Sequence, residues 1–464
     1  MDAHVFLARS PMPAPAGELF AWHTRPGALE RLLPPWQRID VVSRRGGLAD
    51  RGRVEVDLHL GPLPVRWVAQ HTGYVEGEWF RDEQLEGPFD AWVHTHRVSA
   101  TGPETSVLED HVAYRLPAEP PGGLAVKLAE RELGRMFAYR HRVTAHDLRR
   151  HRAFAAHGPQ RIAISGASGL VGEGLRAYLS TAGHEVLRLV RRREDAPDAV
   201  HWDPAAGSVD RDALEGLDAL IHLAGENVGA RWTASRKQAI RESRVRGTRL
   251  LCEALASLRR PPRVLLAASA VGFYGDRGDE ALDERSAPGD DFLAGVCREW
   301  EDATAPARDA GIRVVNLRIG MVLTPRGGAL ARMLPAFRLG GGGPIGSGRQ
   351  WMSWITYDDL LAAFEHALFD ERVQGPVNVS APTPVSNRDF ASTLGRVLHR
   401  PAVVPVPAAA VRLAFGEMGQ ALVLAGARVL PRALQATGFR FGFDALEPAL
   451  RHLLGAERLE NAAH

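Results

Sequence analysis

The stretch "ISGASGLVGEGL", residues 164–175, decides the fold of the larger part of this chain. It ends an apolar run and opens an amphipathic one, and Gly166, Gly169 and Gly172 recur at every third position. Glycine at such a turn lets the backbone approach a pyrophosphate, which the free N–H groups of a helix N-terminus can then bind. The stretch therefore predicts a strand, a turn and a helix that hold a dinucleotide. A purely structural glycine-rich turn is the alternative.

The apolar runs beyond this turn predict the rest of the sheet. They alternate with helical patterns, and they include "HEVLRLV", "LDALIHLAG", "PRVLLAASA" and "IRVVNLRIGMVL". Short, continuous apolar runs between helices are typical of parallel strands that are buried on both faces. We therefore predict an α/β domain of the Rossmann type, with a doubly wound parallel sheet, over residues 160–400.

The end of the second predicted strand indicates which dinucleotide binds. NAD sites place Asp or Glu there, where the carboxylate binds the ribose 2′-hydroxyl. This chain has "LVRRR", with Arg191, Arg192 and Arg193. A guanidinium group can bind a 2′-phosphate through two N–H groups, and each charge-assisted bond contributes about 1.5–3 kcal/mol. We therefore predict NADP(H) as the cofactor, bound by Arg191 and Arg192, with a solvated basic loop as the alternative.

Residues 1–152 follow a different pattern. "GRVEVDLHLGPLPVRWVAQHTGYVEGEWF" alternates apolar and polar residues between Gly-Pro breaks, which predicts an antiparallel meander with one solvated face. A long helical stretch follows it, and "AAHGPQ" is typical of a linker. His94 and His96, in "HTH", share one face of a strand. Spacing identifies no third ligand, which a catalytic zinc site usually needs. Hydrogen bonding of both histidines within the sheet is the alternative, and we predict no metal.

Composition bounds the partners and the compartment. The 464 residues carry a net charge of +2, which favours neither nucleic acid nor a membrane surface as a partner. No apolar run approaches the roughly 20 residues that span a bilayer, and the first residues lack the pattern of a signal peptide. The two cysteines, Cys252 and Cys297, are far apart in the sequence, so we expect no disulfide framework and a cytoplasmic location.

Several motifs between residues 160 and 458 resemble the extended short-chain dehydrogenase/reductases and, more narrowly, an atypical epimerase-like branch of that family. They occur in the order "GASGLVG", "HLAGENV", "ESRVRGT", "SAVGFYGD", "CREWE", "LRIGMVL", "LPAFRLGGGGPIGSGRQWMSWITYDDL" and "RVLPRALQATGFRF". Residues 401–458 are similar to a C-terminal domain of unknown function that is common in that branch. The resemblance implies a nucleotide-binding protein with oxidoreductase or epimerase activity.

Residues 1–152 resemble the START-like (SRPBCC) family in "FRDEQLEGPFDAWVHTHRV", "VLEDHVAYRLP" and "GRMFAYRHRVTAHDL". The resemblance implies an α+β helix-grip fold, in which a sheet wraps round a long C-terminal helix and encloses an apolar cavity for a hydrophobic ligand. The aromatic side chains available to line that cavity or, as the alternative, to fill a core are Trp67, Phe80, Phe89, Trp92, Tyr114, Phe137 and Tyr139.

The resemblance to the epimerase-like branch also implies site residues. Beside the cofactor it places Ser168, Leu170, Val171, Leu223, Ala224, Gly225, Glu226, Arg244, Arg318, Gly320 and Met321. Ser269, in "SAVGFYG", matches the family's catalytic serine, whose hydroxyl binds a substrate oxygen. Arg349 and Trp354 lie where extended members close over substrate, and Asp359 is also typical of a helix cap. Each polar residue could instead make an ordinary structural hydrogen bond.

The family's catalytic Tyr-x-x-x-Lys pair is absent. Aligning Glu301 with the family puts Leu293 at the tyrosine position and Cys297 at the lysine position. Loss of a positioned acid or base typically lowers the rate roughly 10²–10⁴-fold. For Cys297, a small buried hydrophobe is the alternative to a reactive thiol. The candidates for a replacement acid or base, none of them selected by spacing, are Tyr274, Cys297, Asp276 and Asp291.

Two functions follow from these features. The first is an NADP(H)-dependent oxidoreductase or epimerase that acts on a small carbonyl or sugar-like substrate, with Ser269 and Arg349 as polar anchors. The second is a non-catalytic sensor, in which NADP(H) occupancy changes how the START-like domain binds its ligand or partner. The missing pair favours the sensor, whereas the loop "GGGGPIGSGRQWMSW" favours the enzyme, which we expect. The oligomeric state stays open, with a homodimer among the alternatives.

Overall fold

The computed structural model describes residues 3–49, 51–59, 61, 63–117 and 123–457. Residues 1, 2 and 458, at the ends of two predicted domains, lie outside the described residues. The chain divides into two compact units. The first comprises Met1–Ala156, Ser180–Ala182 and Arg451–His464, and the second comprises His157–Leu179 and Gly183–Leu450. The division into domains of residues 1–152, 160–400 and 401–458 stays a prediction.

Strands occur in both units and are numbered in chain order. They are β1 (His4–Met12), β2 (Ile39–Arg45), β3 (Arg53–Leu58), β4 (Val65–Val75), β5 (Trp79–Glu86), β6 (Ala91–Gly102), β7 (Thr105–Arg115), β8 (Arg161–Ser165), β9 (Glu185–Val190), β10 (Ala199–Asp203), β11 (Ser208–Val209), β12 (Ala219–His222), β13 (Val264–Ala270), β14 (Ala281–Leu282), β15 (Arg313–Ile319), β16 (Met321–Leu323), β17 (Trp351–Met352), β18 (Trp354–Thr356), β19 (Gly375–Val379), β20 (Val385–Ser386) and β21 (Arg428–Val429).

The α-helices are α1 (Ala16–Thr24), α2 (Ala28–Leu32), α3 (Leu124–Ala153), α4 (Leu170–Thr181), α5 (Arg211–Leu214), α6 (Ala234–Ala256), α7 (Phe292–Asp302), α8 (Ala305–Asp309), α9 (Gly328–Arg338), α10 (Tyr357–Phe369), α11 (Asn387–Leu398), α12 (Ala408–Phe415), α13 (Glu417–Gly419), α14 (Arg432–Ala436) and α15 (Leu446–Leu453). Among the described residues, no helix combines the length and the hydropathy needed to cross a bilayer.

The first unit is built on a seven-stranded antiparallel sheet in the order β1-β7-β6-β5-β4-β3-β2. Side chains alternate between the two faces of a strand, and in β6 every second residue from Trp92 to Val98 is buried. Leu133 and Phe137 of the 30-residue helix α3 pack in one core cluster with Trp92 and Tyr114. A sheet that packs against a long C-terminal helix confirms the predicted helix-grip fold.

The second unit is built on an eight-stranded sheet in the order β11-β10-β9-β8-β12-β13-β15-β19. All neighbouring pairs are parallel except β10 with β11. Every residue of β12 is buried, as expected for a strand that is covered on both faces. Strand order reverses at β8, which lies between β9 and β12, and α/β sheets bind ligands at the carboxyl ends of the strands at such a point. The predicted doubly wound Rossmann sheet is confirmed.

Both cysteines are free and buried. Cys252, on α6, packs in the main core cluster of the parallel sheet beside Leu251. Cys297, on α7, packs in a smaller cluster with Phe273 and Tyr274. The two thiols therefore belong to separate hydrophobic clusters of the second unit.

Candidate functional site

The glycine turn after β8 is built so closely that side chains do not fit. β8 ends at Ser165, and Gly166 follows in the left-handed region, with φ +71°. The N–H of Gly169 donates to the Gly166 carbonyl at 3.0 Å, and α4 begins at Leu170. A Cβ atom on Gly172 would lie only 2.2 Å from the Gly166 carbonyl oxygen. The helix thus packs directly on the turn, which is the role of the third glycine in a dinucleotide-binding turn.

The segment after β12 lies against this turn. A Cβ atom on Gly166 would lie 3.0 Å from the Ala224 nitrogen and 3.0 Å from the Leu223 carbonyl carbon. The Ser165 hydroxyl accepts a hydrogen bond from the N–H of Leu223 at 3.1 Å. The structure therefore brings together two of the segments predicted to contact the cofactor, at the point where strand order reverses.

A buried hydrogen-bonded chain beneath these segments was not foreseen from the sequence. The Oγ of Ser165 lies 2.6 Å from Nδ1 of His222, whose Nε2 lies 2.9 Å from the Thr248 hydroxyl oxygen. Trp300 Nε1 donates to the same hydroxyl at 2.9 Å. Burial, followed by the nearby charge of Arg244, lowers the pKa of His222 to about 4. His222 is therefore neutral at physiological pH and positions the carboxyl ends of β8 and β12.

Arg244 joins this region to the loop after β12. Its Nη1 donates to the carbonyl oxygens of Glu226 at 3.0 Å and of Ile240 at 3.1 Å. Its guanidinium carbon lies 4.8 Å from the ring centroid of Trp300, and a Cβ atom on Gly225 would lie 3.1 Å from it. Arg244 thus holds the predicted cofactor-contacting loop in place, a role that its spacing in the sequence did not specify.

The three arginines after β9 are exposed. Arg191, Arg192 and Arg193 make no hydrogen bond or ion pair with the part of the chain that the structure describes. Arg188, within β9, is different because its guanidinium forms two hydrogen bonds to Asp198, at 2.6 and 2.7 Å. Since β8 and β9 are parallel neighbours, the arginines follow at the same edge of the sheet as the glycine turn. They are free to bind an anion there.

A second polar cluster lies where β13 and β15 end. Ser269 is 4% exposed and sits directly opposite Arg318 in the parallel pairing of these strands. The Ser269 hydroxyl donates to Oε1 of Glu301 at 2.7 Å. Arg318 donates to both carboxylate oxygens of Glu301, each at 2.8 Å. We call Ser269, Glu301 and Arg318 the serine network.

The ion pair of the serine network is almost inaccessible to solvent. The side chains of Arg318 and Glu301 are 4% and 11% exposed. Burial lowers the pKa of Arg318, but the hydrogen bonds and charge of Glu301 and the contact with Tyr274 together outweigh this effect, so that its pKa is raised. Glu301 served only to align the sequence, and its role in the network was missed. The sequence contains both charged residues, Glu301 in "CREWE" and Arg318 in "LRIGMVL", but only the fold brings them together as an ion pair.

Tyr274 and Cys297 are built into the core. Tyr274 is fully buried; its hydroxyl donates to Oδ1 of Asn378 at 2.7 Å and accepts from Arg318 at 3.0 Å. Burial raises the pKa of Tyr274, and burial, followed by the charge of Glu301, raises the pKa of Cys297 to about 12. A protonated thiol and a hydroxyl with two partners are not arranged to move a substrate proton. This geometry does not favour either group as a replacement for the missing acid or base, and their catalytic role stays a prediction.

Three further residues that the sequence brought into question near α7 lie outside the serine network. Asp291 caps the helix, accepting the N–H of Ala294 at 2.8 Å. Leu293, at the tyrosine position, is partly buried against the cluster that contains Trp232. Asp276 is exposed. None of the three is tied to the serine network by a hydrogen bond among the described residues.

Gly320 and Met321 follow β15 at the same edge of the sheet. A Cβ atom on Gly320 would lie 2.6 Å from the Ser353 carbonyl oxygen, and that oxygen accepts the N–H of Met321 at 2.8 Å. Trp354 lies next to Ser353 in sequence but is fully buried, and its Nε1 donates to the Thr383 carbonyl at 3.1 Å. Trp354 therefore packs in the core, which does not favour a contact with substrate, and that contact stays a prediction.

Arg349 and Asp359 lie in different environments. Arg349 is exposed, and only its backbone N–H has a partner, the Ser347 hydroxyl at 3.2 Å, among the described residues. Asp359 is fully buried and accepts the N–H groups of Gly442 at 2.7 Å and Phe443 at 3.1 Å. Asp359 thus has the structural role that its position near a helix start indicated, while Arg349 stays available to a ligand.

The first unit encloses a cavity of about 490 Å³. Among the aromatic residues expected to line it, Trp67, Phe80 and Trp92 do so, whereas Tyr114 and Phe137 pack in the core. The volume falls within the range of about 300–1,000 Å³ that is typical of small-molecule pockets. Trp92 and Phe80 also belong to core clusters, so the same aromatic residues both line the cavity and pack in the core.

Three family models match successive parts of the chain. Residues 162–380 match the NAD dependent epimerase/dehydratase family. Residues 406–453 match a domain of unknown function, DUF1731. Residues 12–141 match a model described as polyketide cyclase/dehydrase and lipid transport. The resemblances drawn from the motifs are thereby confirmed.

The chain is also similar to individual proteins. An epimerase family protein of Mycobacterium tuberculosis is 43% identical over 290 residues, which cover 62% of this chain and 96% of the relative. A nucleoside-diphosphate sugar epimerase structure from Corynebacterium glutamicum has a TM-score of 0.81 and 38% identity, covering 98% of this chain and 91% of that one. The human epimerase family protein SDR39U1, solved with NADPH, has a TM-score of 0.59 and 36% identity, covering 63% of this chain and 99% of that one.

Proposed function

We propose that this chain, which belongs to the NAD dependent epimerase/dehydratase family, binds NADP(H) and acts as an oxidoreductase or epimerase on a small carbonyl or sugar-like substrate. The observation that carries the choice of cofactor is the group of three exposed arginines after β9, which have no partner among the described residues. The NADPH in the structure of the human relative supports it. When bound, the cofactor would supply or accept a hydride.

The residues present fit such a cofactor. The first turn of α4 offers the N–H groups of Leu170, Val171 and Gly172, which have no acceptor within the helix. A helix N-terminus of this kind favours a pyrophosphate. Arg191 and Arg192 would hold the 2′-phosphate through charge-assisted hydrogen bonds. The role of the chain at this end is therefore to bind and orient the dinucleotide.

The serine network would position the substrate. Because the Ser269 hydroxyl donates its proton to Glu301, its oxygen lone pairs can accept a hydrogen bond from a substrate hydroxyl. The two-point contact from Arg318 fixes the Glu301 carboxylate and, through it, the rotamer of Ser269. We propose Ser269 as the substrate anchor and Glu301 and Arg318 as positioning residues. Exposed Arg349 is a further candidate for contact with an anionic substrate group.

Calorimetric titration of the full chain with NADPH and NADH tests the choice of cofactor. Arg192→Ala should weaken NADPH roughly 10–100-fold, the equivalent of one charge-assisted interaction, and leave NADH unchanged. The matched control is Arg149→Ala, which removes an exposed helical arginine of the first unit. Equal affinity of the native protein for the two dinucleotides would refute the proposal, as would equal effects of the two substitutions.

A non-catalytic NADP(H) sensor is the second candidate, and a specific observation favours it. The positions of the usual pair hold Leu293 and a thiol that is protonated at neutral pH, Cys297. NADPH consumption during a screen of small carbonyl and nucleotide-sugar substrates separates the two functions. Turnover that falls at least tenfold in Ser269→Ala, with NADPH affinity unchanged, supports the enzyme. Tight NADPH binding without turnover of any of these substrates supports the sensor.

We also propose that the cavity of the first unit takes a small hydrophobic ligand. Its walls include Leu32, Ile39, Val56 and Met136 beside the aromatic residues, and burying such a surface favours apolar molecules. Displacement of a fluorescent apolar dye by candidate ligands would measure this binding.

The two free cysteines are consistent with the proposal of a cytoplasmic location.

A further inference from the structure

Strand pairing in the first unit gathers three metal-ligating side chains at one point. His94 and His96 alternate onto the buried face of β6, and Asp82 on β5 is paired directly with His94. Oδ1 of Asp82 lies 3.5 Å from Nδ1 of His94 and 3.7 Å from Nε2 of His96. One nitrogen or oxygen atom from each of the three lies within 4.8 Å of the other two. In a tetrahedral zinc site, two ligand atoms lie about 3.4 Å apart. The three side chains would therefore need to move only a little to bind one ion.

A fourth residue orients the two imidazoles from behind. Asp110, on β7, is paired with His96 across the sheet. Its Oδ1 lies 2.9 Å from Nε2 of His94 and 2.6 Å from Nδ1 of His96. Each ring therefore turns one nitrogen toward Asp82 and the other toward Asp110. His94 makes a hydrogen bond to Asp110, whereas Nδ1 of His96 is close to Asp110 without the geometry of a hydrogen bond. Histidines that bind a metal commonly give their second N–H to a carboxylate, as His94 does here.

Asp110 is itself held in place, and a buried nitrogen of His71 beside the cluster has no hydrogen-bond partner among the described residues. The Oδ2 of Asp110 lies 2.6 Å from Nε2 of His141, whose Nδ1 lies 2.8 Å from the Ser10 hydroxyl oxygen. On the other side, His71 of β4 is paired with Asp82. Within the described part of the chain, Nδ1 of His71 is buried without a hydrogen-bond partner. An unsatisfied buried nitrogen beside the cluster is the feature that an ion or its bound water would explain.

The cluster opens into the apolar cavity. Asp82, His94 and His96 all line it, together with the partly buried Arg140. The carboxylates of Asp82 and Asp110 both attract this guanidinium. Three protein ligands would leave a coordination position open, which distinguishes catalytic from structural zinc sites.

We propose that Asp82, His94 and His96 bind one divalent transition-metal ion of the Zn²⁺ type, that Asp110 orients both imidazoles, and that the open position faces the cavity. The ligand class for this site is a small apolar molecule whose carbonyl or hydroxyl oxygen completes the coordination. Mixed imidazole and carboxylate donors suit zinc and its neighbours better than magnesium or calcium. The site reverses the expectation of no metal drawn from "HTH" alone, because strand pairing supplies the third ligand.

Titration of the full chain with Co²⁺ and Zn²⁺, after treatment with a chelator, tests the site. The native protein should bind one ion per chain, with the visible absorption bands of Co²⁺ in a low-coordinate site, and Zn²⁺ should displace it. Asp82→Asn keeps the shape of the side chain and removes its charge, so it should abolish the bands or weaken Co²⁺ at least about tenfold. Asp110→Asn should weaken Co²⁺ roughly 10–100-fold, as losses of such orienting partners do.

His111→Gln is the matched control. His111 lies next to Asp110 on β7 but alternates onto the other face, so its loss should leave Co²⁺ affinity unchanged. Circular dichroism and thermal melting establish that each variant is folded. No stoichiometric ion in the native protein overturns the proposal, as does native Co²⁺ affinity in folded Asp82→Asn. NADPH affinity, measured in parallel, keeps this result separate from the proposed cofactor site.

Discussion

The glycine turn after β8 and the serine network near the ends of β13 and β15 belong to the same sheet, yet they are built from different groups. The turn consists of backbone, with Gly166 and Gly172 leaving no room for side chains. The serine network consists of buried side chains from three elements, with Glu301 bonded to both Ser269 and Arg318. Shape therefore controls the first site, whereas charge and hydrogen bonding control the second.

The largest effect is expected from the charge of the serine network. Glu301→Gln leaves Arg318 buried beside a neutral amide, and removal of one partner from a buried ion pair typically costs about 3–5 kcal/mol. Urea denaturation should show a loss of this size in the free energy of unfolding. The same variant should lower turnover while leaving NADPH affinity within about threefold of native. A loss below about 1 kcal/mol would mean that solvent reaches the pair, contrary to its burial.

The next effect concerns His222, which links the two strand ends beside the turn. The unfolded chain protonates this histidine near pH 6.5, whereas the folded chain does so only near pH 4. Between these values the unfolded state binds more protons, so the free energy of unfolding falls as pH falls, by about 3 kcal/mol in total. Urea denaturation at pH 4, 5, 6 and 7 should therefore show a shallower pH dependence in His222→Gln than in the native protein. Parallel pH profiles would contradict the lowered pKa.

A smaller effect tests the role of shape at the turn. Gly172→Ala forces the new Cβ against the Gly166 carbonyl, and such overpacking typically costs about 1–3 kcal/mol. NADPH affinity, measured by calorimetry, should fall roughly 5–100-fold because the turn must open. The control is Gly134→Ala in α3, where a Cβ meets nothing within 4 Å. This control should be neutral or stabilising by up to about 1 kcal/mol. Equal NADPH affinity in both variants would show that the turn tolerates a side chain.

The smallest effect is expected at an exposed ion pair on the same helix as Glu301. Glu299, on α7, forms two hydrogen bonds to Arg241, but the two side chains are 34% and 58% exposed. Glu299→Gln should change the free energy of unfolding by less than about 1 kcal/mol. It is the matched control for Glu301→Gln, with the same substitution two residues earlier. Similar losses in the two variants would remove the distinction between buried and exposed charge.

The difference between the two sites also explains what the sequence could predict. The glycine turn was predicted because its strand, turn and helix are contiguous, so that spacing alone specifies the geometry. The serine network was not, because Ser269, Glu301 and Arg318 come from separate elements that only the fold brings together. The burial of Tyr274 and Cys297 likewise depends on the fold, since spacing in the sequence does not distinguish a core position from a reactive one. The third ligand of the proposed metal site was missed for the same reason.

A crystal structure of the full chain with NADPH would show directly how the dinucleotide binds. We expect the pyrophosphate at the N–H groups of Leu170 and Val171, and the 2′-phosphate within hydrogen-bond distance of Arg191 or Arg192. We also expect the nicotinamide on the side of Ser269. A 2′-phosphate directed into solvent, with all three arginines after β9 still unpaired, would contradict the account. So would a pyrophosphate bound away from the glycine turn.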